Sequence, residues 1–249
     1  MADSSEHDGI RKVIEREMFR LRSTYGPEAL PVSSSLALSA LQAGALKGKV
    51  VLVTGGTKGA RERDHAIETY GRIDVVVANA GVFETGSFLD DEVDADGKLM
   101  KPDFGTITIN VLGTLFTSRL AFHHLRKNDS VGSKALIILG SLTSFVATPG
   151  CPLYATSKHA LLGLQRALHA ESEADGISVT FVASGPVPTD IFGPLRPMIE
   201  QLPHIKLSDT VDAMLFAASN PSEEKLGGCT LATDTAGIFR IPFVQAYRD

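Results

Sequence analysis

The chain has 249 residues, a formal net charge of −5 and 43% hydrophobic residues, which suits one α/β domain with a sizeable core. The acidic balance argues against a nucleic-acid partner, and the two cysteines, Cys151 and Cys229, form neither a disulfide framework nor a metal-ligand spacing. We therefore expect a soluble, cytoplasmic protein without a bound metal.

Residues 1–46 are predicted to form a helical extension ahead of the main domain at 47–249. Its apolar residues recur near helical spacing among charged ones and predict an amphipathic helix. They are Ile10, Val13, Ile14, Met18, Phe19 and Leu21. A membrane anchor is the alternative, but the apolar stripe is narrow and acidic residues flank it, which also argues against a targeting peptide. We expect the extension to pack against the domain.

Four apolar runs in the main domain predict buried strands. The first, 49–59, is β-branched and leads directly into a glycine-rich turn, where backbone N–H groups could approach a pyrophosphate. The others are 73–81, which ends in small residues, 135–140 and 177–182, and all have the hydrophobic pattern of strands buried on both faces. Because helical stretches separate them, the sequence predicts a parallel sheet wound with helices.

Tyr154 and Lys158 stand one helical turn apart at the start of an apolar helix, so their side chains face the same side. A nearby ammonium favours a phenolate, and we expect Lys158 to lower the pKa of Tyr154 from about 10 toward the range of a general acid or base. Ser141 follows the strand at 135–140, at the edge where open α/β sheets bind ligands. The Tyr-x-x-x-Lys spacing alone is also compatible with a solvated helix face.

Together these motifs resemble the short-chain dehydrogenase/reductase family over roughly Lys47 to the C-terminus. The matching residues are the Thr-Gly-x-x-x-Gly start at 54–59, Asn79-Ala80-Gly81, Asn110, Ser141, Tyr154, Lys158 and the Gly-x-Val-x-Thr ending at Thr189. The resemblance implies a doubly wound, Rossmann-like sheet and an NAD(P)-dependent oxidoreductase that interconverts a hydrophobic secondary alcohol and its ketone. It also implies a homodimer or homotetramer through the helices 110–127 and 154–173, with Leu161, Leu162, Leu164 and Leu168 as apolar surface.

The family gives each matching residue a role. Tyr154 would be the catalytic acid/base, and Lys158 would lower its pKa and bind the nicotinamide ribose. Ser141 would orient the substrate carbonyl, and Asn110 would hold a proton-relay water. Cofactor contacts would come from Gly55, Thr57, Lys58, Gly59, Asn79, Ala80, Gly81, Tyr154, Lys158, Val187 and Thr189. Lys58 resembles the basic residue of NADP-preferring members, so NADP is the expected cofactor and NAD the alternative.

The family pattern is interrupted between Gly59 and Asn79. Relatives place another strand, with its cofactor-selecting residue, and flanking helices there, so about one βαβ module, on the order of 45 residues, is missing. Eleven helical residues span roughly 16 Å, about the length of a five-residue strand, so one crossover can still join the first two strands. The first strand would then be a sheet edge, which the extension at 1–46 could cover.

The substrate and the reaction are less well defined by the residues. The segment 190–206 follows Thr189 and predicts an apolar lid over a hydrophobic alcohol or ketone. Loss of the adenine half of the cofactor site argues against tight dinucleotide binding. Two alternatives therefore stay open: a catalytically silent binding protein of this family, and an isomerase or cyclase that uses the same acid/base residues without a redox cofactor.

Overall fold

The computed structural model describes residues 44, 46–56, 62–129, 132–146, 148–219 and 226–241. The helical extension predicted at 1–46 lies almost entirely outside these residues, and so do Thr57, Lys58 and Gly59. Six described strands form one sheet in the order β1-β2-β3-β4-β5-β6. Their bounds are β1 Val51–Val53, β2 Val75–Ala78, β3 Lys134–Leu139, β4 Ile177–Ala183, β5 Thr230–Asp234 and β6 Gly237–Ile241.

Helical segments connect the strands. They are α1 Glu62–Tyr70, α2 Gly105–Ile107, a π-helical segment Thr108–Leu112, α3 Gly113–Arg126, α4 Pro152–Ser172, α5 Arg196–Ile199 and α6 Leu207–Ser219. Pro152 stands in the first turn of α4, where its missing N–H costs no helical hydrogen bond. After α4 the chain reverses at Gly176, whose φ of 63° is readily adopted by glycine.

Strands β1 to β5 run parallel, and β6 pairs antiparallel with β5. The predicted parallel α/β sheet is therefore confirmed, with each of the four predicted strands in its expected place. The fifth strand and the antiparallel sixth were not predicted. Among the described residues, one helix, α1, lies between β1 and its neighbour β2, as the length argument allows.

The β1 strand lies at the edge of the described sheet, and the side chains of its first and last residues are open to solvent. Val51 is 39% exposed and Val53 is 48% exposed. Asp74 anchors this short strand, because its Oδ2 accepts a hydrogen bond from Val50 N at 2.7 Å. Burial acts to raise the pKa of Asp74, but hydrogen bonds from Val50 and Asn128, with the charge of Arg72, hold it below its usual value.

Helices cover both faces of the sheet. One core contains side chains of α3 and α4 with alternate strand residues, and Ile67 of α1 packs against it. The other core contains α6 and the remaining strand residues. The expectation that Leu161 and Leu162 form an oligomer surface is wrong, because both lie in the first core at 1% and 6% exposure. No helix in the described part of the chain is both long and apolar enough to cross a membrane.

Candidate active site

The site is assembled where the parallel strands end. Thr54 follows β1 and Asn79 follows β2, and the two loops are joined by hydrogen bonds. Asn79 Nδ2 donates to Thr54 O at 2.9 Å, while Thr54 Oγ1 accepts from the backbone N–H groups of Asn79 and Ala80 at 3.1 Å each. Gly55 has a φ of 100°, and a Cβ there would lie 2.8 Å from Asn79 Nδ2. This turn therefore requires glycine, as the sequence predicts.

Ser141 and Tyr154 come together at the end of β3. The Ser141 side chain lies close enough to the phenol of Tyr154 to act on its pKa, and its oxygen accepts a hydrogen bond from Thr143 N at 3.1 Å. Tyr154 lies in the first turn of α4, and Lys158 follows one turn later. The Lys158 Nζ is 5.6 Å from the centroid of the Tyr154 ring and donates to Leu139 O at 3.1 Å. The three predicted residues therefore form one cluster.

The electrostatics of this cluster differ from the sequence-based expectation. Burial raises the pKa of Tyr154 to about 12, with a smaller upward effect from Cys151 and an opposing effect from the Ser141 side chain. Burial lowers the pKa of Lys158 to about 8. The expectation that Lys158 lowers the pKa of Tyr154 is thus wrong for this state, because desolvation dominates both groups. At neutral pH Tyr154 keeps its proton and Lys158 keeps its charge.

Asn110 is fully buried in the π-helical segment, a deformation that often occurs at functional sites. Its Oδ1 accepts from Val82 N at 2.8 Å, and its Nδ2 donates to Val82 O at 3.0 Å and Ser157 Oγ at 2.9 Å. Ser157 Oγ in turn donates to Tyr154 O at 2.7 Å. The Asn110 side chain therefore connects the loop after β2 to α4. Its role in holding a proton-relay water stays a prediction.

Gly81 keeps the space beside Lys158 open. A Cβ at Gly81 would lie 3.3 Å from Asn110 Oδ1 and 3.7 Å from Lys158 Nζ. Val187 and Thr189 follow β4 in a turn where Thr189 N donates to Val187 O at 2.7 Å. Both residues are partly buried, and their contact with a nicotinamide stays a prediction.

Comparison with known proteins identifies the family of the chain. A family model described as short chain dehydrogenase matches residues 60–200, more than half of the chain. The chain belongs to the short-chain dehydrogenase family. The match includes Asn110, Ser141, Tyr154 and Lys158. It begins beyond the glycine-rich turn, so the missing βαβ module stays a prediction.

Individual members of the short-chain dehydrogenase family resemble parts of the chain. The short-chain dehydrogenase/reductase prx4 of Penicillium roqueforti is 35% identical over 130 residues, which cover 50% of this chain and 39% of prx4. The oxidoreductase UcpA of Salmonella typhimurium is 32% identical over 174 residues, which cover 64% of this chain and 62% of UcpA. The chain thus spans less than two thirds of the length of these relatives.

Solved structures show the same fold. The short chain dehydrogenase from Mycobacterium paratuberculosis, crystallised with NAD, has a TM-score of 0.58 and 26% identity, covering 69% of this chain and 66% of that one. An ElxO variant with NADPH bound has a TM-score of 0.54 and 25% identity, covering 69% of each chain. The chain therefore shares the family's architecture over about two thirds of its length.

An aromatic residue that sequence reasoning did not identify, Phe83, contacts both Tyr154 and Phe192. The ring centroid of Phe83 lies 4.7 Å from that of Tyr154 and 5.2 Å from that of Phe192. Phe192 belongs to the segment 190–206, which was expected to form an apolar lid. In this segment Ile199 and Leu202 are buried, whereas Ile191 and Leu195 are exposed. The segment is thus anchored by its second half, and Phe192 contacts Phe83; the role of the segment as a lid stays a prediction.

Glu84 and Cys151 are further neighbours of Tyr154 that the motifs do not include. Glu84 Oε2 accepts a hydrogen bond from the backbone N–H of Tyr154 at 2.6 Å. Burial and the charge of Glu84 raise the pKa of Cys151 to about 12, so this thiol is not a nucleophile at neutral pH. One sequence signal could have identified Glu84 as a site residue. It stands three residues after the Asn79-Ala80-Gly81 motif, close to the carboxyl end of β2.

Proposed function

We propose that the protein is a cytoplasmic NADP-dependent oxidoreductase that interconverts a hydrophobic secondary alcohol and its ketone, with NAD as the alternative cofactor. The observation that carries this proposal is the cluster that Ser141, Tyr154 and the buried Lys158 form at the end of β3. A hydroxyl donor, a protonated phenol and a cation at one strand end are the groups that proton transfer to a carbonyl oxygen requires. Asn110 would support them from the π-helical segment.

The residues fit a dinucleotide at the nicotinamide end. Gly81 leaves bare backbone beside the Lys158 ammonium, where a Cβ would reduce the space. Gly55 brings the turn after β1 close to the Asn79 loop, as close backbone approach to a phosphate requires. The structures of similar proteins with NADPH and NAD support this assignment. The preference for NADP depends on Lys58, whose charge would meet a 2′-phosphate.

The proposed proton transfer uses groups that already lie in one cluster. When bound, the cofactor supplies a hydride to the carbonyl carbon. The Ser141 hydroxyl holds the carbonyl oxygen, and Tyr154 donates its proton to that oxygen as negative charge develops. The Lys158 ammonium, still protonated at neutral pH, stabilises the phenolate that remains. In the oxidative direction Tyr154 accepts the proton of the alcohol, while Phe83 and Phe192 exclude water.

Calorimetric titration of the purified chain with NADP and NAD tests the cofactor directly. We expect NADP to bind more tightly than NAD. Gly81→Val should weaken NADP binding by roughly tenfold, equivalent to about 1.4 kcal/mol, because its side chain would enter the space beside Lys158. Gly163→Val is the matched control, since Gly163 has no atom within 4 Å of an added Cβ. If neither dinucleotide binds at millimolar concentration, the redox function is refuted.

The short edge strand β1 favours one alternative function. The adenine half of a dinucleotide site would lie beside this three-residue strand, which has no neighbour on its outer side among the described residues. An isomerase or cyclase that uses Ser141, Tyr154 and Lys158 without a dinucleotide would not need that half. Such an enzyme would fail the titration but still lose its activity on Tyr154→Phe, whereas a silent binding protein would have no activity to lose.

We also propose that the protein is a homodimer or homotetramer, with α3 rather than α4 supplying the apolar surface. Exposed apolar side chains follow α3 and the π-helical segment before it: Ile109, Leu112, Leu115, Phe116 and Leu120. Phe116 is 64% exposed, and Phe116→Glu should reduce the particle mass measured by light scattering to that of a monomer. Leu89→Glu should not, although Leu89 is 80% exposed. A monomeric wild-type protein would contradict the proposal.

A further inference from the structure

Three consecutive residues after the Asn79-Ala80-Gly81 motif contact three different parts of the catalytic cluster. The backbone N and O of Val82 bind the Asn110 side chain at 2.8 and 3.0 Å. The Phe83 ring packs against the Tyr154 ring at a centroid distance of 4.7 Å. Glu84 Oε2 accepts from Tyr154 N at 2.6 Å. The segment 82–84 therefore touches both the side chain and the main chain of the catalytic tyrosine.

Glu84 supplies a cap that helix α4 lacks locally. The first backbone N–H groups of a helix have no acceptor within the helix and carry its positive dipole end, so a carboxylate is favourable there. Cys151 occupies the N-cap position of α4 and makes no side-chain hydrogen bond to the helix. The acceptor instead comes from a residue 70 positions earlier in the chain. The cap thus joins α4 to the loop after β2.

Burying the Glu84 carboxylate is energetically unfavourable, and stabilising the helix alone would not require it. Glu84 is 8% exposed, and its Oε1 is buried with no hydrogen-bond partner among the described residues. A buried acceptor without a partner has lost its hydrogen bonds to water and gained none in return, which is unfavourable. A serine, threonine or aspartate at position 151 would cap the helix with a local side chain. Unlike a local cap, the carboxylate of Glu84 also fixes the distance between Tyr154 and the segment 82–84.

We propose that Glu84 is a positioning residue for Tyr154, and that its hydrogen bond to the Tyr154 backbone sets where the phenol lies relative to Ser141 and the substrate oxygen. This role of Glu84 rests on the proposed function. It extends the proposed site by a residue that touches neither substrate nor cofactor. The first turn of α4 carries the tyrosine, so a small shift of that turn displaces the proton donor from its acceptor.

Three substitutions separate the hydrogen bond from the charge. Glu84→Gln keeps an oxygen acceptor at the same reach without the charge, Glu84→Asp keeps the charge but is one methylene shorter, and Glu84→Met keeps the volume alone. We expect Glu84→Gln to retain nearly full kcat. Glu84→Asp and Glu84→Met should lose about tenfold or more in kcat, because misplacement by about 1 Å can cost up to a hundredfold. The KM for NADPH should not change.

A second readout follows the helix turn itself. Amide hydrogen exchange at Tyr154, measured by NMR, should stay slow in Glu84→Gln and become faster in Glu84→Asp and Glu84→Met. Asp209→Asn is the matched control, since Asp209 Oδ2 accepts from Lys206 N at 2.9 Å at the start of α6, far from Tyr154 in the chain. This control should alter neither kcat nor the Tyr154 amide.

The outcomes that overturn the proposal are specific. If Glu84→Asp retains kcat while Glu84→Gln loses it, Glu84 acts through its charge and not through position. If Glu84→Met leaves kcat or the exchange rate of the Tyr154 amide unchanged, Glu84 has no positioning role. Absence of turnover by the wild-type chain would refute the proposed function alone, and the Tyr154 amide would still decide whether Glu84 holds the first turn of α4.

Discussion

Tyr154→Phe is expected to reduce kcat for ketone reduction by roughly 10²- to 10⁴-fold, the range that a positioned general acid contributes. The substitution removes one oxygen and leaves the ring, which packs against Phe83 at 4.7 Å between centroids. The KM for NADPH should therefore change little, while the carbonyl oxygen loses its proton donor. Steady-state kinetics, monitored by the absorbance of the reduced nicotinamide at saturating cofactor, measures both constants.

Tyr70→Phe is the matched control for this experiment. Tyr70 lies at the end of α1 and is 61% exposed, so its phenol contributes little to packing and lies outside the candidate site. It should keep wild-type kcat and KM. Wild-type turnover by Tyr154→Phe would exclude Tyr154 as the acid and direct attention to Ser141 or to solvent. A fall in cofactor affinity without a fall in kcat would assign Tyr154 to binding alone.

Three of the four strands that sequence reasoning identified, β2, β3 and β4, are buried on both faces, whereas β1 was expected to be buried and is partly exposed. Residues 75–78, for example, are Val-Val-Val-Ala, and all four are buried, so a continuous apolar run reports a strand covered on both faces. Strand β5 is equally buried, but it reads Thr-Leu-Ala-Thr-Asp. Thr230, Thr233 and Asp234 interrupt the apolar pattern, and their burial depends on partners contributed by the fold. The hairpin of β5 and β6 therefore had no clear sequence signal.

In the candidate site, too, some features could be predicted from the sequence and others could not. Ser141, Tyr154 and Lys158 could be predicted as a cluster because strand ends and helical spacing are local features. Their pKa values could not, because desolvation of Tyr154 and Lys158 depends on what the fold packs around them. Glu84 escaped prediction for the same reason, since a cap contributed across 70 residues leaves no pattern near α4.

Gly140→Ala is expected to have the largest effect on stability. Gly140 connects β3 to Ser141, and its N–H donates to Val182 O at 2.8 Å. A Cβ at this position would overlap the ring of Phe181, which is completely buried in the core. The ring must move within a close-packed interior, so we expect a loss of about 3 kcal/mol in the free energy of unfolding. Denaturation by urea, followed by circular dichroism, measures this loss.

Two further variants test whether Phe181 is the cause. Gly163→Ala adds the same methyl group on the exposed side of α4, where no atom lies within 4 Å, and should raise stability by up to about 1 kcal/mol. Phe181→Leu alone should be destabilising, but combined with Gly140→Ala it should cost clearly less than the sum of the two single changes, because the smaller side chain removes the overlap. Additive losses would show that the overlap with the Phe181 ring is not the cause of the lost stability.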